Sequence, residues 1–288
     1  MNQQEQDLRK KLELPDNSCL EIKKFRLSTR NSSYAIIVDG NSQYFMKLNT
    51  PVSQKEKKVY EFISKYDLTD IIMPVYSDDK VTIYPFIHGL KNVGIEESFD
   101  KIINFQKKLL TLENEVEFYK DDSFKNLYIT RFAIRVLKHK EMVSKFWSDI
   151  DQILRFYNHH SLEMFDKIPK ILNHGDLNPT NMQKDSSGKI YFIDFEDACY
   201  DHPSWDLTRS LMETDSDKAD FFIERYIKEM PVLDKELFKM LINRDYVIRV
   251  ITDSIGIQQN HEEKEATARL KKYEKNCHKK LTDILKND

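Results

Sequence analysis

The sequence predicts an α+β protein in two lobes, a small antiparallel sheet with one helix, then a larger and mainly helical region. Three observations carry that expectation. Between residues 20 and 87, short apolar runs alternate with polar positions and are separated by turn residues, the pattern of strands. Inside that stretch, residues 51–66 switch to helical spacing. Beyond Gly94 the 3.6-residue period takes over.

The elements follow in chain order. Residues 3–13 read as a short polar helix stopped near Pro15. Leu20 to Leu27 and Ser33 to Val38 read as strands. Asp39-Gly40-Asn41 supplies a hairpin turn into a third strand, Tyr44 to Leu48. Pro51 to Tyr66 reads as a helix with Val59, Tyr60, Phe62 and Ile63 on its apolar face. Ile71 to Tyr76 and Val81 to Ile87 read as two more strands around Ser77-Asp78-Asp79. Gly89 to Gly94 reads as a linker, which gives lobes at residues 1–88 and 89–288. Phe99, Ile102, Ile103, Leu109, Leu110 and Leu112 mark a helix, and residues 123–165 read as a helical hairpin. Asp185 to Gly188 is a turn between two short strands. From Trp205 onward the pattern is helical, broken at Pro231 and near Asn260.

Composition narrows the class. The chain has 288 residues, 40% hydrophobic and 32% charged, as in a globular protein with a real core. The net charge is −3, and the lysine pairs are scattered among acids, which argues against a nucleic-acid surface. Cys19, Cys199 and Cys277 are too few and too far apart for a disulfide framework, so we expect a reducing, cytoplasmic setting. The polar start has no signal-peptide character, and no apolar run reaches the ~20 residues of a membrane span. With only 6 glycines, a glycine-rich phosphate loop of the usual kind is not available.

The densest chemistry lies in His174-Gly175-Asp176-Leu177-Asn178-Pro179-Thr180-Asn181, followed by Asp194 at the end of the apolar run Ile190 to Ile193. An Asp, an Asn five positions on, and an Asp after a strand suit phosphoryl transfer. Asp176 can accept the proton of an acceptor hydroxyl. Asn181 and Asp194 can hold the Mg2+ that offsets phosphate charge. Alone, Asp176 could be a turn-capping residue; together, the three are a catalytic set. Lys47 ends an apolar strand, where an unpaired ammonium is costly, and a nucleotide phosphate is a suitable partner. Glu56 and Glu61 are the helix acids able to hold that lysine. Glu56 is favoured because it precedes Val59 and Tyr60 on the helix face. The loop Leu27 to Ser33, with Ser32 and Ser33 as its candidates, offers N–H and hydroxyl groups to phosphates, or is an ordinary polar hairpin loop. His174 is read as holding the catalytic loop. Asp206 either accepts hydrogen bonds from that loop or sits in a helix's first turn; the second is the default. No Cys/His cluster has zinc spacing, and no Ser–His–Asp set stands out.

On HGDLNPTN at 174–181, IDFEDA at 193–198 and the run from Pro203 to Leu207, the chain resembles the aminoglycoside phosphotransferase and choline kinase superfamily. The resemblance spans roughly residues 20–215 and implies a protein-kinase-like fold. By that resemblance Asp176 is the catalytic base, Asn181 and Asp194 bind Mg2+, Lys47 grips ATP or GTP, and Glu56 is its helix partner. Residues 1–88 become the nucleotide-binding lobe and 89–288 the lobe with the catalytic and substrate sites. Val81 to Gly89 becomes the interlobe strand and hinge, with the backbone of Pro85 and Ile87 meeting the adenine edge. The partners implied are a nucleoside triphosphate and a small hydroxylated acceptor.

The chain departs from the protein kinases. Asp194-Phe195-Glu196 stands for Asp-Phe-Gly, His-Gly-Asp for His-Arg-Asp, and no Ala-Pro-Glu follows. These departures favour a small-molecule acceptor over a protein. A pseudokinase should lack Lys47, Asp176, Asn181 or Asp194, and all four are present. Family members that bind aminoglycosides or amino alcohols use acidic and aromatic walls. Glu196, Asp197, Asp201 and Trp205 are the matching candidates, with Tyr200, Glu213 and Asp215 nearby; a solvated acidic loop is the plainer alternative.

Overall fold

The computed structural model describes residues 3–25, 33–50, 53–112 except 67 and 69, 120–141 except 127, several positions in 144–151, 162–231 except 213, and 234–260. The loop 26–32 with Ser32, the acid Glu213, much of the expected hairpin 123–165, and the chain beyond the expected break near Asn260 lie outside the described residues.

By its own contacts the chain divides into two compact units. One comprises Met1–Gly94 and Pro179–Ala198; the other comprises Ile95–Asn178 and Cys199–Asp288. Residues 179–198, which carry Asn181 and Asp194, therefore belong with the first unit.

The first unit opens with α1 (Gln3–Lys11) and a five-stranded antiparallel sheet. Its strands are β1 (Leu20–Phe25), β2 (Ser33–Val38), β3 (Asn41–Leu48), β4 (Tyr76–Ser77) and β5 (Val81–Pro85), in the order β1-β2-β3-β5-β4. Asp39 (φ 51°) and Gly40 (φ 81°) make the β2–β3 turn, where two positive φ angles match the right-handed twist of the strands. The sheet's inner side buries Ile36, Val38, Met46, Val81 and Ile83 against Leu8 of α1. Each such side chain contributes about 1.5–3 kcal/mol on leaving water. Helix α2 (Ser53–Lys65) buries Glu56, Val59, Tyr60, Phe62 and Ile63, the face its spacing predicts.

The strand expected over Ile71–Tyr76 is much shorter. Ile71 makes an isolated parallel bridge to Phe192, and only Tyr76 and Ser77 pair with β5. Pro74 has no N–H to give a ladder, so the chain cannot pair through it. The expected linker also carries structure: β6 (Lys91–Asn92) joins β8 (Met182–Lys184) and β9 (Ile190–Phe192) in a second antiparallel sheet.

The second unit is mainly helical: α3 (Ile95–Thr111), α4 (Tyr128–Lys138), α5 (Ser204–Leu211), α6 (Ser216–Glu229) and α7 (Lys235–Asn260). Two short strands, β7 (Ile171–Asn173) and β10 (Cys199–Asp201), pair antiparallel and lead into its functional loop and into α5. Helix α7 is buried on nearly every side, through Phe238, Leu241, Tyr246, Val247, Val250 and Ile251, as expected of the central helix of a core. Pro231 separates α6 from α7 as expected. A further break at 212–215, unmarked by glycine or proline, separates α5 from α6. Among the described residues no helix is long and apolar enough to cross a membrane.

Candidate active site

In the first unit, strand β3 carries Lys47 next to its last residue, within reach of two acids far apart in sequence. Its Nζ lies 2.6 Å from Asp194 Oδ1 and 3.4 Å from Glu56 Oε2. In the ladder, Lys47 sits between Ser33 of β2 and Thr82 of β5. Burial disfavours its charge, but Glu56 and Asp194 outweigh burial and raise its pKa above the ordinary lysine value. Glu56 is the helix acid that reaches Lys47, and it is 2% exposed. Its other oxygen accepts from Tyr60 OH at 3.1 Å and from the Phe195 N–H at 3.2 Å. Tyr60 also packs edge-on to Phe195, with centroids 5.9 Å apart. α2 is thereby tied to the residue that follows Asp194.

Asp194 follows β9 in the left-handed region, at φ 70° and ψ 67°. A non-glycine residue pays for that conformation, so it persists only where its surroundings enforce it, often at working sites. Asn181 closes a 3-10 turn (Pro179–Asn181) just before β8 and is 8% exposed. Its carbonyl accepts the Ile193 N–H at 3.1 Å, which brings the backbone of the two candidate metal residues together. Among the described residues no group of three or more His, Cys, Asp or Glu could hold a metal alone. An amide oxygen and one carboxylate nevertheless suit Mg2+, which keeps waters and takes substrate phosphates for its other positions. Glu196 and Asp197 continue from Asp194 in a short 3-10 turn. Burial and the neighbouring Asp194 raise the Glu196 pKa.

In the second unit, β7 runs into His174, Gly175 and Asp176. Gly175 has φ 87°, which a side chain tolerates poorly. The loop is gripped from two helices. Asp206 of α5, fully buried, accepts the N–H groups of His174 at 2.7 Å and Gly175 at 2.8 Å. Burial raises its pKa, against the pull of His174 and those two N–H groups. Asp206 thus serves the loop rather than only its own helix terminus. Ser210, one turn on, donates to the Leu177 carbonyl at 2.7 Å. Arg249 of α7 donates to the carbonyls of Gly175 (3.1 Å) and Trp205 (2.9 Å) and stacks 3.7 Å from the Trp205 ring centre. His174 accepts the Asp176 N–H through Nδ1 at 3.4 Å.

The Asp176 carboxylate is held at both oxygens. Arg209 Nε meets Oδ1 at 2.5 Å, and Asn178 Nδ2 meets Oδ2 at 3.0 Å. Burial opposes its charge, but Arg209 wins and lowers its pKa. Two residues named as acceptor candidates have partners within the protein. Trp205 is 3% exposed beneath Arg249, so its face is taken by a guanidinium of the protein itself. Asp201 accepts from Asn126 at 2.6 Å and from the His202 N–H at 2.7 Å. Ser33 is buried in β2, and Pro85, the last residue of β5, can offer only its carbonyl; Ile87 lies beyond the strand.

Sequence reasoning did not single out Arg209 or Arg249. Arg209 had a signal, since three positions after Asp206 it shares that residue's helix face. Arg249 had none, being 74 and 44 residues from the two carbonyls it binds.

This architecture, with an ion-paired strand lysine, a glutamate-bearing helix and an aspartate loop, defines a kinase-like phosphotransferase. Residues 21–230 match the model of the phosphotransferase enzyme family, and the chain belongs to that family. The resemblance read from the motifs is borne out, and the protein is a small-molecule phosphotransferase. Solved structures share the fold. Choline kinase LicA from Streptococcus pneumoniae is 16% identical with a TM-score of 0.60, over 96% of this chain and 100% of that one. A choline kinase from Cryptosporidium parvum Iowa II is 16% identical with a TM-score of 0.66, over 96% and 95%. The GDP complex of aminoglycoside 2'-phosphotransferase-IIIa is 17% identical with a TM-score of 0.62, over 97% and 99%. No curated protein sequence matches the chain.

Proposed function

We propose that the protein is an ATP- or GTP-dependent, Mg2+-dependent kinase that phosphorylates a hydroxyl group of a small molecule. The observation that carries this reading is Lys47, bound at once to Glu56 and to Asp194, 147 residues away. A buried lysine so arranged is oriented and charged, ready to bind the α- and β-phosphates. Asn181 and Asp194 would hold Mg2+, which supplies charge neutralisation to the nucleotide's phosphates when bound. Asp176, kept ionised by Arg209, accepts the acceptor's hydroxyl proton as that oxygen bonds to the γ-phosphorus. The bond from the γ-phosphorus to its bridging oxygen breaks, and the nucleoside diphosphate leaves. Pro85 and Ile87 are assigned to the adenine edge, Ser32 and Ser33 to the phosphates. That aminoglycoside 2'-phosphotransferase-IIIa, which shares the fold, has been solved as a GDP complex supports nucleotide binding in general.

For the acceptor we propose a cationic molecule such as an aminoglycoside or amino alcohol, with Glu196 and Asp197 as the carboxylates that favour it and Asp201 and Trp205 as supports of the surrounding chain. Choline kinases and a streptomycin-bound phosphotransferase share the fold. A cytoplasmic setting belongs to the same reading. The test is release of the nucleoside diphosphate across a panel of aminoglycosides, choline and neutral sugars. Turnover with the cationic members alone is expected; equal turnover of neutral sugars rejects the cationic acceptor. Asp176→Ala should abolish turnover while sparing nucleotide binding, and full turnover by that variant overturns the base assignment.

A further inference from the structure

Asp176 is held by more than a loop needs. Arg209 Nε meets one carboxylate oxygen at 2.5 Å and Asn178 the other at 3.0 Å, so donors at both oxygens fix the plane of the group. The guanidinium is itself anchored: Nη1 lies 3.8 Å from Asp253 Oδ2 on α7 and 3.8 Å from Met212 Sδ. The Arg209 side chain is 19% exposed, against 34% for Asp176, so the pair presents the carboxylate outward and the guanidinium inward. Arg209 also follows Asp206 by three residues on α5. One helix face thus grips the loop by its backbone, through Asp206, and by its reactive side chain, through Arg209.

We infer that Arg209 is a positioning residue for Asp176, and that Asp253 braces Arg209, so that the carboxylate is pinned in one orientation toward the acceptor hydroxyl. The inference rests on Asp176 being the base proposed above. The charged and titratable groups around Asp176 are His174 on its own loop, Asp206 and Arg209 on α5, and Arg249 and Asp253 on α7. Arg209 is in ion contact with the Asp176 carboxylate, at 2.5 Å. A lysine at 209 would keep the charge but lose the planar group that sets Nε on the Asp176 carboxylate while Nη1 faces Asp253.

The test uses the full chain with MgATP and whichever of streptomycin, kanamycin or choline the panel shows to be turned over. Arg209→Met should lower kcat roughly 10²-fold, the scale of a misplaced reacting group, with KM for ATP little changed. The acid limb of its kcat profile should move to higher pH. Arg209→Lys should restore the limb more than kcat, and Asp253→Asn should give a smaller loss in the same direction. A second readout needs no acceptor: carbon-13 NMR titration of the aspartate carboxyls, with the Asp176 signal identified by its loss in Asp176→Asn. That signal should titrate at higher pH in Arg209→Met, or in Asp253→Asn if Arg209→Met does not fold. Unchanged kcat, or an unmoved Asp176 titration in the folded variant, overturns the inference. If Asp176→Asn keeps full turnover, the base assignment fails instead, and the carboxyl titration still decides whether Arg209 controls Asp176.

Discussion

Lys47 and Asp176 are opposite charges placed among opposite partners, and the partners set their behaviour. The Lys47 side chain is 11% exposed and that of Glu56 3%, so removing Glu56 leaves a buried ammonium with Asp194 as its remaining acid. Glu56→Ala also strips the acceptor from Tyr60 OH and from the Phe195 N–H, each worth about 1–3 kcal/mol, and should lower the urea midpoint accordingly. Glu56→Gln keeps a hydrogen-bonding side chain and should cost less stability while still weakening nucleotide use. Equal unfolding midpoints for the Ala variant and the parent would refute that burial argument. The pH dependence has a definite sign. Because the folded pKa of Asp176 lies below the usual carboxylate value, its contribution to stability is present above the unfolded pKa and is lost as pH falls through the folded one. The urea midpoints of the parent and Asp176→Asn should therefore diverge as pH rises through the ordinary aspartate range. A gap between them that stays constant across that range would show that Arg209 does not control the charge.

At the scale of elements, the 174–178 loop and α5 act as one piece. Asp206→Ala would leave two buried N–H groups without their acceptor, each worth about 1–3 kcal/mol, and should lower both the thermal midpoint and kcat. A variant that loses turnover with an unchanged midpoint would contradict this. Much of the loop was legible because its chemistry is written in two contiguous strings, 174–181 and 193–198. Glu56 was legible over Glu61 because helical spacing alone puts it on the buried face. The role of Asp206 was not, since an acid in a helix's first turn looks the same whether it faces a dipole or a loop 31 residues back. The Arg249 contact needed α7 to pass beneath that loop, which no local pattern encodes. Strand length failed at Pro74 for a reason visible in sequence, the missing N–H, while the α5–α6 break carried no glycine or proline to announce it.

Across the whole molecule, the residues proposed for the nucleotide and the buried helix α7 fall in different units. Lys47, Glu56, Asn181 and Asp194 all fall in the first unit, whereas α7 and both tryptophans, Trp147 and Trp205, fall in the second. Tryptophan fluorescence therefore follows the second unit. Leu241 of α7 is fully buried, and Leu241→Ala should lower the fluorescence midpoint in urea by the equivalent of about 2–5 kcal/mol. That variant keeps every residue assigned to the nucleotide. MgATP at 100 times its Kd should thus still stabilise it by about 2.7 kcal/mol, read as a rise in the calorimetric melting temperature. Lys47→Met should show the reverse, a melting temperature that no longer responds to MgATP. If Leu241→Ala loses the nucleotide response while Lys47→Met keeps it, nucleotide binding does not reside at the lysine strand, and the assignment of Lys47 falls with it.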